Sequence, residues 1–359
     1  MRLLLAGSWQ YYIYEAACAE ALERLGVQVE RFAWGSYFSG ILGQAQAKWV
    51  FPSPAMLRLN RDFLCYAVAA QPDVVFVWRG THILPETLHA IRSRTGALLV
   101  AYNNDDPFGP QKHQRAPFHH RWLWKHYLES ISVYDLHFVY RKVNLEEIKA
   151  AGAKKASLLM SYCVPYLHRP MMLSVQDQAK YSCDVVFVGH YEDDGRVDSL
   201  RALVAAGLKV KLFGPRYWTK KVLGPLANYF GPIQEVTGVE YAKALCGADM
   251  ALCFLSRLNR DTYTRRCFEI PACGCLLLSE RTEDLQALYT EGQEAVYFST
   301  PPELVEQALW LKGNPERAHA IAAAGHRRLL RDNHSVDGRM KSVLTILAEH
   351  LDSRLRITS

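Results

Sequence analysis

The stretch Leu255 to Gly274 reads Leu-Ser-Arg-Leu-Asn-Arg-Asp-Thr-Tyr-Thr-Arg-Arg-Cys-Phe-Glu-Ile-Pro-Ala-Cys-Gly and concentrates chemistry-bearing side chains. An apolar run ends near Phe254, a polar loop comes next, and a short helix is expected from Thr264, whose hydroxyl suits an N-cap. Unpaired backbone N–H groups at a helix start attract anions. Arg265 and Arg266 in the first turn add positive charge where a structural helix prefers negative, which points to a phosphate as ligand. Glu269 falls three residues past Arg266 on nearly the same face, where a carboxylate accepts hydrogen bonds from the vicinal hydroxyls of a ribose. The same spacing also makes Arg265 and Glu269 an ordinary i,i+4 helix pair, worth about 0.2–0.5 kcal/mol.

Polar residues after apolar runs mark further positions. Asn103-Asn104-Asp105-Asp106-Pro107 succeeds a run of strand length, which sets its carboxylates at the carboxyl edge of a sheet. There Asp106 or Asp105 can take a proton from a hydroxyl or bind a sugar; a run of polar residues before a proline is equally the makings of an Asx turn. Gly7 to Tyr12 and Arg79, Gly80 and His82 occupy equivalent places, with Trp9, Tyr11 and Tyr12 as sugar-stacking or packing rings. Tyr217 and Trp218 divide between base stacking and core. His113, His119, His120 and His126 invite a metal, but adjacent histidines do not face one ion from a regular helix and no HExxH spacing occurs, so no metal is expected.

The elements that position these residues form two series. Continuous apolar runs at Leu3–Ala6, Val27–Phe32, Asp73–Trp78, Ala97–Tyr102, Leu136–Tyr140 and Ser157–Met160 read as strands covered on both faces, hence a parallel sheet flanked by helices. A second series begins at residue 183: Asp184–Val188, Val210–Phe213, Ala248–Phe254, Cys275–Ser279 and Ala295–Phe298, with helical patterns between. The expected division is a first domain over 1–165, a linker over 166–182, a second domain over 183–335 and a final amphipathic helix and tail over 336–359. Trp34 to Pro54, with Gly35, Gly40, Gly43, Pro52 and Pro54, reads as a long irregular surface loop. Two such sheets in series bind ligands outside their strand carboxyl ends, in a shared crevice. Neither GxGxxG nor GxxxxGK[ST] occurs, which disfavours a dinucleotide dehydrogenase and a P-loop ATPase.

Composition bounds the class. The 42 basic and 36 acidic residues give +6, spread along the chain, which does not argue for a nucleic-acid partner and leaves room for weak attraction to an anionic membrane surface. No apolar run approaches the roughly 18 residues of a membrane span. The nine cysteines include no CxxC and sit mostly in apolar runs, as buried thiols of a reducing cytoplasm do. MRLLLAG reads as a first strand rather than a targeting segment.

The string Thr264 to Gly274, the strand after it, Glu291-Gly-Gln-Glu-Ala-Val-Tyr-Phe298 and His334-Ser-Val-Asp-Gly-Arg339 resemble the C-terminal half of CgeB-type glycosyltransferases, a group similar to glycosyltransferase family 4. The resemblance covers about residues 183 to 340; the N-terminal half shares the layout and Asp105-Asp106-Pro107. It implies the α/β GT-B fold: two Rossmann-like, doubly wound domains whose parallel sheets face a cleft, with the last helix crossing back. By the resemblance, Glu269 is the ribose-binding acid of an E-x7-E motif and Asp261, shorter by one methylene than the family's glutamate, contacts the donor sugar or phosphate. Arg196 and His190 then stand in the segment that clamps the diphosphate, with His190 where the family has a basic residue. The same resemblance implies a metal-independent transferase, without a cofactor, that moves a sugar from a nucleotide-diphosphate donor to a hydroxyl of a glycan, lipid or protein. Arg266 and Arg196 stabilise the leaving group, Glu269, Arg265, Thr264 and Tyr217 line the nucleotide site, and retention of configuration is implied. An inverting path with Asp106 as base is the alternative mechanism; a nucleotide-sugar epimerase, a hydrolase or a non-catalytic binder is the alternative function. The sequence leaves the oligomeric state open.

Overall fold

The computed structural model describes residues 1–50, 52–109 and 118–358. It divides into two compact units, one of Met1–Met160, Leu258–Arg260 and Val336–Ser359, the other of Ser161–Arg257 and Asp261–Ser335.

The first unit alternates strand and helix: β1 (Arg2–Gly7), α1 (Glu15–Arg24), β2 (Gln28–Ala33), α2 (Gly40–Trp49), α3 (Pro54–Ala70), β3 (Val74–Trp78), α4 (Pro85–Thr95), β4 (Leu98–Asn103), α5 (Phe118–Glu129), β5 (Leu136–Val139), α6 (Lys142–Ala150) and β6 (Ala156–Leu158). The strands form one parallel sheet in the order β2-β1-β3-β4-β5-β6. Every residue of β3 and β4 is buried, as continuous apolar runs demand when helices cover both faces. Local chemistry sets the helix ends. Ser53 accepts from the Met56 amide and Pro54 opens α3, while Gly96, at φ 68°, ends α4.

The second unit repeats the plan with α7 (Val175–Tyr181), β7 (Cys183–Val188), α8 (Arg196–Ala205), β8 (Val210–Phe213), α9 (Lys220–Leu223), α10 (Leu226–Phe230), α11 (Gly238–Cys246), β9 (Ala248–Cys253), α12 (Arg266–Ala272), β10 (Leu276–Glu280), α13 (Glu283–Leu288), β11 (Val296–Phe298), α14 (Pro301–Gly313) and α15 (Pro315–Arg331). Its sheet is also parallel, in the order β11-β10-β9-β7-β8. The last helix, α16 (Val336–Thr358), belongs to the first unit, where it packs on α1 with Met340, Val343 and Leu347 buried and Asp337 paired with Arg24 at 2.7 Å.

Two expectations are corrected. The segment from Trp34 to Pro54 is largely helical, with a 3-10 turn at Gly35–Phe38 leading into α2. Its glycine at 43 serves close approach rather than irregularity, since a Cβ there would sit 2.4 Å from the Phe38 carbonyl carbon. Within 166–182, read as linker, Ser174 accepts from the Asp177 amide and caps α7.

Candidate functional site

At the carboxyl edge of the second unit's sheet, β7 gives way to Gly189 and His190, and β9 to the loop that leads into α12. Gly189 is needed for closeness: a Cβ there would lie 3.2 Å from Arg266 Nη1 and 2.8 Å from Phe187 Cζ. Arg266 sets its guanidinium 5.6 Å from the Phe187 ring centroid. Its buried Nε has no hydrogen-bond partner, and among the described residues no carboxylate pairs with it. Burial works against the charge, but Cys253, Tyr241 and Glu269 nearby keep the guanidinium protonated. A half-buried guanidinium whose Nε lacks an acceptor among the described residues gains one from a bound anion.

The neighbouring residues behave otherwise than the sequence suggested. Glu269 is fully buried: Tyr241 donates to it at 2.6 Å, Arg265 Nε lies at 2.5 Å and His168 Nε2 at 3.5 Å. Burial alone would raise its pKa; Arg265, His168 and Tyr241 outweigh that and hold it low. In this fold Glu269 forms the i,i+4 pair with Arg265 that the sequence offered as the alternative to a ribose contact. Thr264 is not the N-cap. That position is Arg265, in helical conformation without a side-chain cap, while the Thr264 hydroxyl lies 3.4 Å from Cys253 Sγ.

Arg196, expected on a diphosphate, is buried and turned back on its own loop. It binds Asp194 through Nε at 2.8 Å and through Nη2, and the His190 carbonyl through Nη1 at 2.6 Å. Its work is to brace residues 190–196. His190 stays half exposed with Nε2 2.8 Å from Glu192, and Ser256 donates to the other Glu192 oxygen at 2.9 Å. Burial would raise the Glu192 carboxyl, but His190, Arg196 and Ser256 together hold it low. Tyr217 is exposed and Trp218 buried, its Nε1 donating to the Gly189 carbonyl at 2.7 Å. Asp261 is half-buried, its amide bonded to the Ser256 carbonyl at 2.9 Å. Sequence reasoning missed Glu192, which carries no signal of its own beyond an acidic run.

At the carboxyl edge of the first unit's sheet, Asp106 is sealed. It accepts from the Phe108 and Gly109 amides at 3.0 and 3.1 Å, from Asn144 at 3.0 Å, and from Arg260 at 2.6 and 3.0 Å. Arg260 in turn holds Glu147 at 2.7 Å. Burial opposes the Asp106 charge, but Arg260 and Arg141 outweigh it and depress its pKa. The turn reading is the correct one for Asp106. Asp105 pairs with Arg79 at 3.0 Å and remains partly exposed. Ser8 and Trp9 direct their amides at Glu15 Oε1, at 2.8 and 3.3 Å, and a Cβ on Gly7 would strike that oxygen. Burial raises the pKa of Glu15.

His113 lies outside the described residues, and so do the side chains of His119 and His120; His126 Nδ1 is 3.2 Å from Glu129. Among the described residues no His, Cys, Asp and Glu group has metal-holding geometry, every cysteine is a free thiol, and no helix is long and apolar enough to cross a membrane.

Paired Rossmann-like units with parallel sheets define the GT-B class, and the chain has that fold. Residues 196–345 match the family model described as Glycosyl transferase-like, so the second unit carries a glycosyltransferase-like domain. No curated protein matches the sequence. Among solved structures, sucrose-phosphate synthase from Thermosynechococcus elongatus superposes with a TM-score of 0.72 at 11% identity, over 98% of this chain and 100% of that one. HepE from Anabaena, solved with UDP-glucose, gives 0.65 at 11% identity over 97% and 100%. An enzyme titled a putative UDP-N-acetylglucosamine 2-epimerase, from Listeria monocytogenes, gives 0.58 at 13% over 98% and 97%.

Proposed function

We propose that the protein is a glycosyltransferase that moves a sugar from a nucleoside-diphosphate donor to an acceptor hydroxyl. The observation that carries this reading is Arg266: a guanidinium at the sheet edge, against the bare backbone of Gly189, with a buried Nε and no partner of its own. A diphosphate supplies the missing charge and accepts in bidentate fashion. The glycosyltransferase-like match over the same segment and the UDP-glucose of HepE support the donor class.

As the donor bond breaks, negative charge grows on the leaving diphosphate, and Arg266 stands ready to stabilise it, with His190 held in orientation by Glu192 beside it. Arg266 supplies cationic charge that other transferases take from a metal, so turnover proceeds without one. The burial of Asp106 and its bonds to Arg260 speak against an inverting path with it as base, and the reading adopted is the retention that the family resemblance implies, with a donor phosphate oxygen taking the acceptor proton.

The test is turnover of a panel of nucleoside-diphosphate sugars by the full chain, read as nucleoside diphosphate released with and without an acceptor glycan, in the presence of EDTA. Release that rises at least about tenfold with acceptor and ignores EDTA supports the reading. Equal release without acceptor identifies a hydrolase, and isomerised donor an epimerase.

A further inference from the structure

The second unit's sheet ends at β8, so one side of that strand has no neighbour in the sheet. On the other side the Val185 and Gly189 amides donate to the Lys209 and Phe213 carbonyls at 3.2 and 3.0 Å. In a parallel ladder this register turns the N–H and C=O groups of Val210 and Leu212 away from β7. Two contacts cap the outward side: the Val210 amide donates to the Tyr229 hydroxyl at 3.0 Å, and the Gly214 amide to the Gln234 carbonyl at 3.0 Å. Gly231, at φ 66°, lets the chain turn back after α10 to place the second cap. Between the caps, Leu212 lines a cavity of about 340 Å³ walled by Tyr229 and Phe230.

Charge gives this cavity its chemistry. Lys209, just before β8, and Lys211, within it, alternate to the same face of the strand, and with Lys180 they line the cavity. Lys180 is paired with Glu240 at 2.9 Å. Lys211 donates to the Lys180 carbonyl, and among the described residues no carboxylate pairs with it or with Lys209. Burial, reinforced by the Lys209 charge, lowers the Lys211 pKa, as two like charges facing one space require. The caps at Val210 and Gly214 leave too short a stretch of open backbone for another strand to add, while the volume is that of a small-molecule site. The lysines mark the amino end of the sheet, since Lys180 lies in the last turn of α7 ahead of β7. The six residues of β7 span about 20 Å, so this site is separate from Gly189 and Arg266 at the carboxyl edge.

We propose that the cavity beside β8 binds a phosphomonoester carried on a small ring, through the ammonium groups of Lys209 and Lys211. A phosphomonoester carries about −1.5 to −2 charge at pH 7, which matches two lysines without a counter-charge. Lys211 keeps two of its N–H donors for the ligand after serving the Lys180 carbonyl, and the outward Leu212 N–H adds a backbone donor. Tyr229 and Phe230 offer their faces to the ring. Binding here requires nothing of the donor site.

Calorimetry on the full chain with glucose 6-phosphate and ribose 5-phosphate, against glucose and ribose, tests it. The phosphorylated sugars are expected to bind and their parents not. Affinity for the phosphates should fall about tenfold or more in the Lys209→Gln, Lys211→Gln double variant and stay within about twofold in Arg266→Ala. Circular dichroism melts check that both variants are folded. No binding of either phosphate, equal binding of the parent sugars, or affinity unchanged in the double variant overturns the proposal. Recruitment to phosphatidic-acid vesicles without binding of the soluble esters also overturns it, and makes the cavity a membrane contact. Because the two variants separate the two sites, failure of the donor reading leaves this result standing, and the reverse holds too.

Discussion

The two sheet edges treat charge in opposite ways. At the first unit's edge the buried acids are answered from within: Glu15 takes the amides of Ser8 and Trp9, and Arg260 takes both Asp106 and Glu147. In the second unit Arg265 and Arg196 each form an ion pair, with Glu269 and Asp194, whereas among the described residues Arg266 forms none and has Glu269 only at longer range. Adjacent arginines on one short helix thus have different work. One closes a buried polar cluster, and the other keeps an Nε without an acceptor among the described residues, which is what the proposed diphosphate contact rests on.

Removing the unanswered charge should have the most severe consequence. Arg266→Ala should lower nucleoside-diphosphate affinity and donor turnover by about 10²–10³-fold, seen by calorimetry with UDP and GDP and by steady-state kinetics, while its melting temperature stays near wild type. Arg266→Lys should recover part only, because an ammonium lacks the planar fork. Equal affinity of wild type and Arg266→Ala for both nucleotides would erase the contrast between the two edges.

Next come the answered charges, whose loss should register as stability. Asp106→Ala removes one of Arg260's two carboxylates and the acceptor of the Phe108, Gly109 and Asn144 donors, and Glu269→Ala removes the partner of Arg265; each should cost about 3–5 kcal/mol in denaturant unfolding, with nucleotide affinity of the folded fraction within about twofold. Asp105→Asn, at a partly exposed pair, should cost under about 1 kcal/mol. A Glu269→Ala protein that is stable but blind to nucleotide would restore the ribose contact.

The mildest change is in pH dependence. Burial lowers the pKa of His82 and of His137 to about 4, so both are neutral in the folded protein. Their folded values lie below the unfolded value of about 6.5. Their contribution is therefore complete above that pH and is lost as pH falls toward 4. Melting temperature should decline across that window, and His82→Gln should flatten the decline.

Much of the scaffold was legible in the sequence. The apolar runs mark the strands to within a residue or two, since covered parallel strands tolerate few polar residues: Val210–Phe213 coincides with β8, and Asp73–Trp78 overshoots β3 by one. Helices start where the sequence between strands allows, α8 at Arg196 and α15 at Pro315. The glycine-rich stretch from Trp34 misled because glycine permits both looseness and tight packing, and only the Phe38 backbone pressed against Gly43 shows which is meant.

The candidate site was legible in location but not in roles. Asp106, Glu269 and Arg196 have the residue types that substrate chemistry uses, yet each is buried against a partner distant in sequence or hidden in its own loop: Arg260 lies 154 residues from Asp106, and Tyr241 lies 28 from Glu269. The paired parallel sheets, and the strand ends where ligands gather, are written in local pattern, because periodicity and helix caps act over a few residues. Which charges are spent internally and which are left for a substrate emerges only when the chain is folded, because the free energy of a buried charge depends on what surrounds it, and those groups come from every part of the chain.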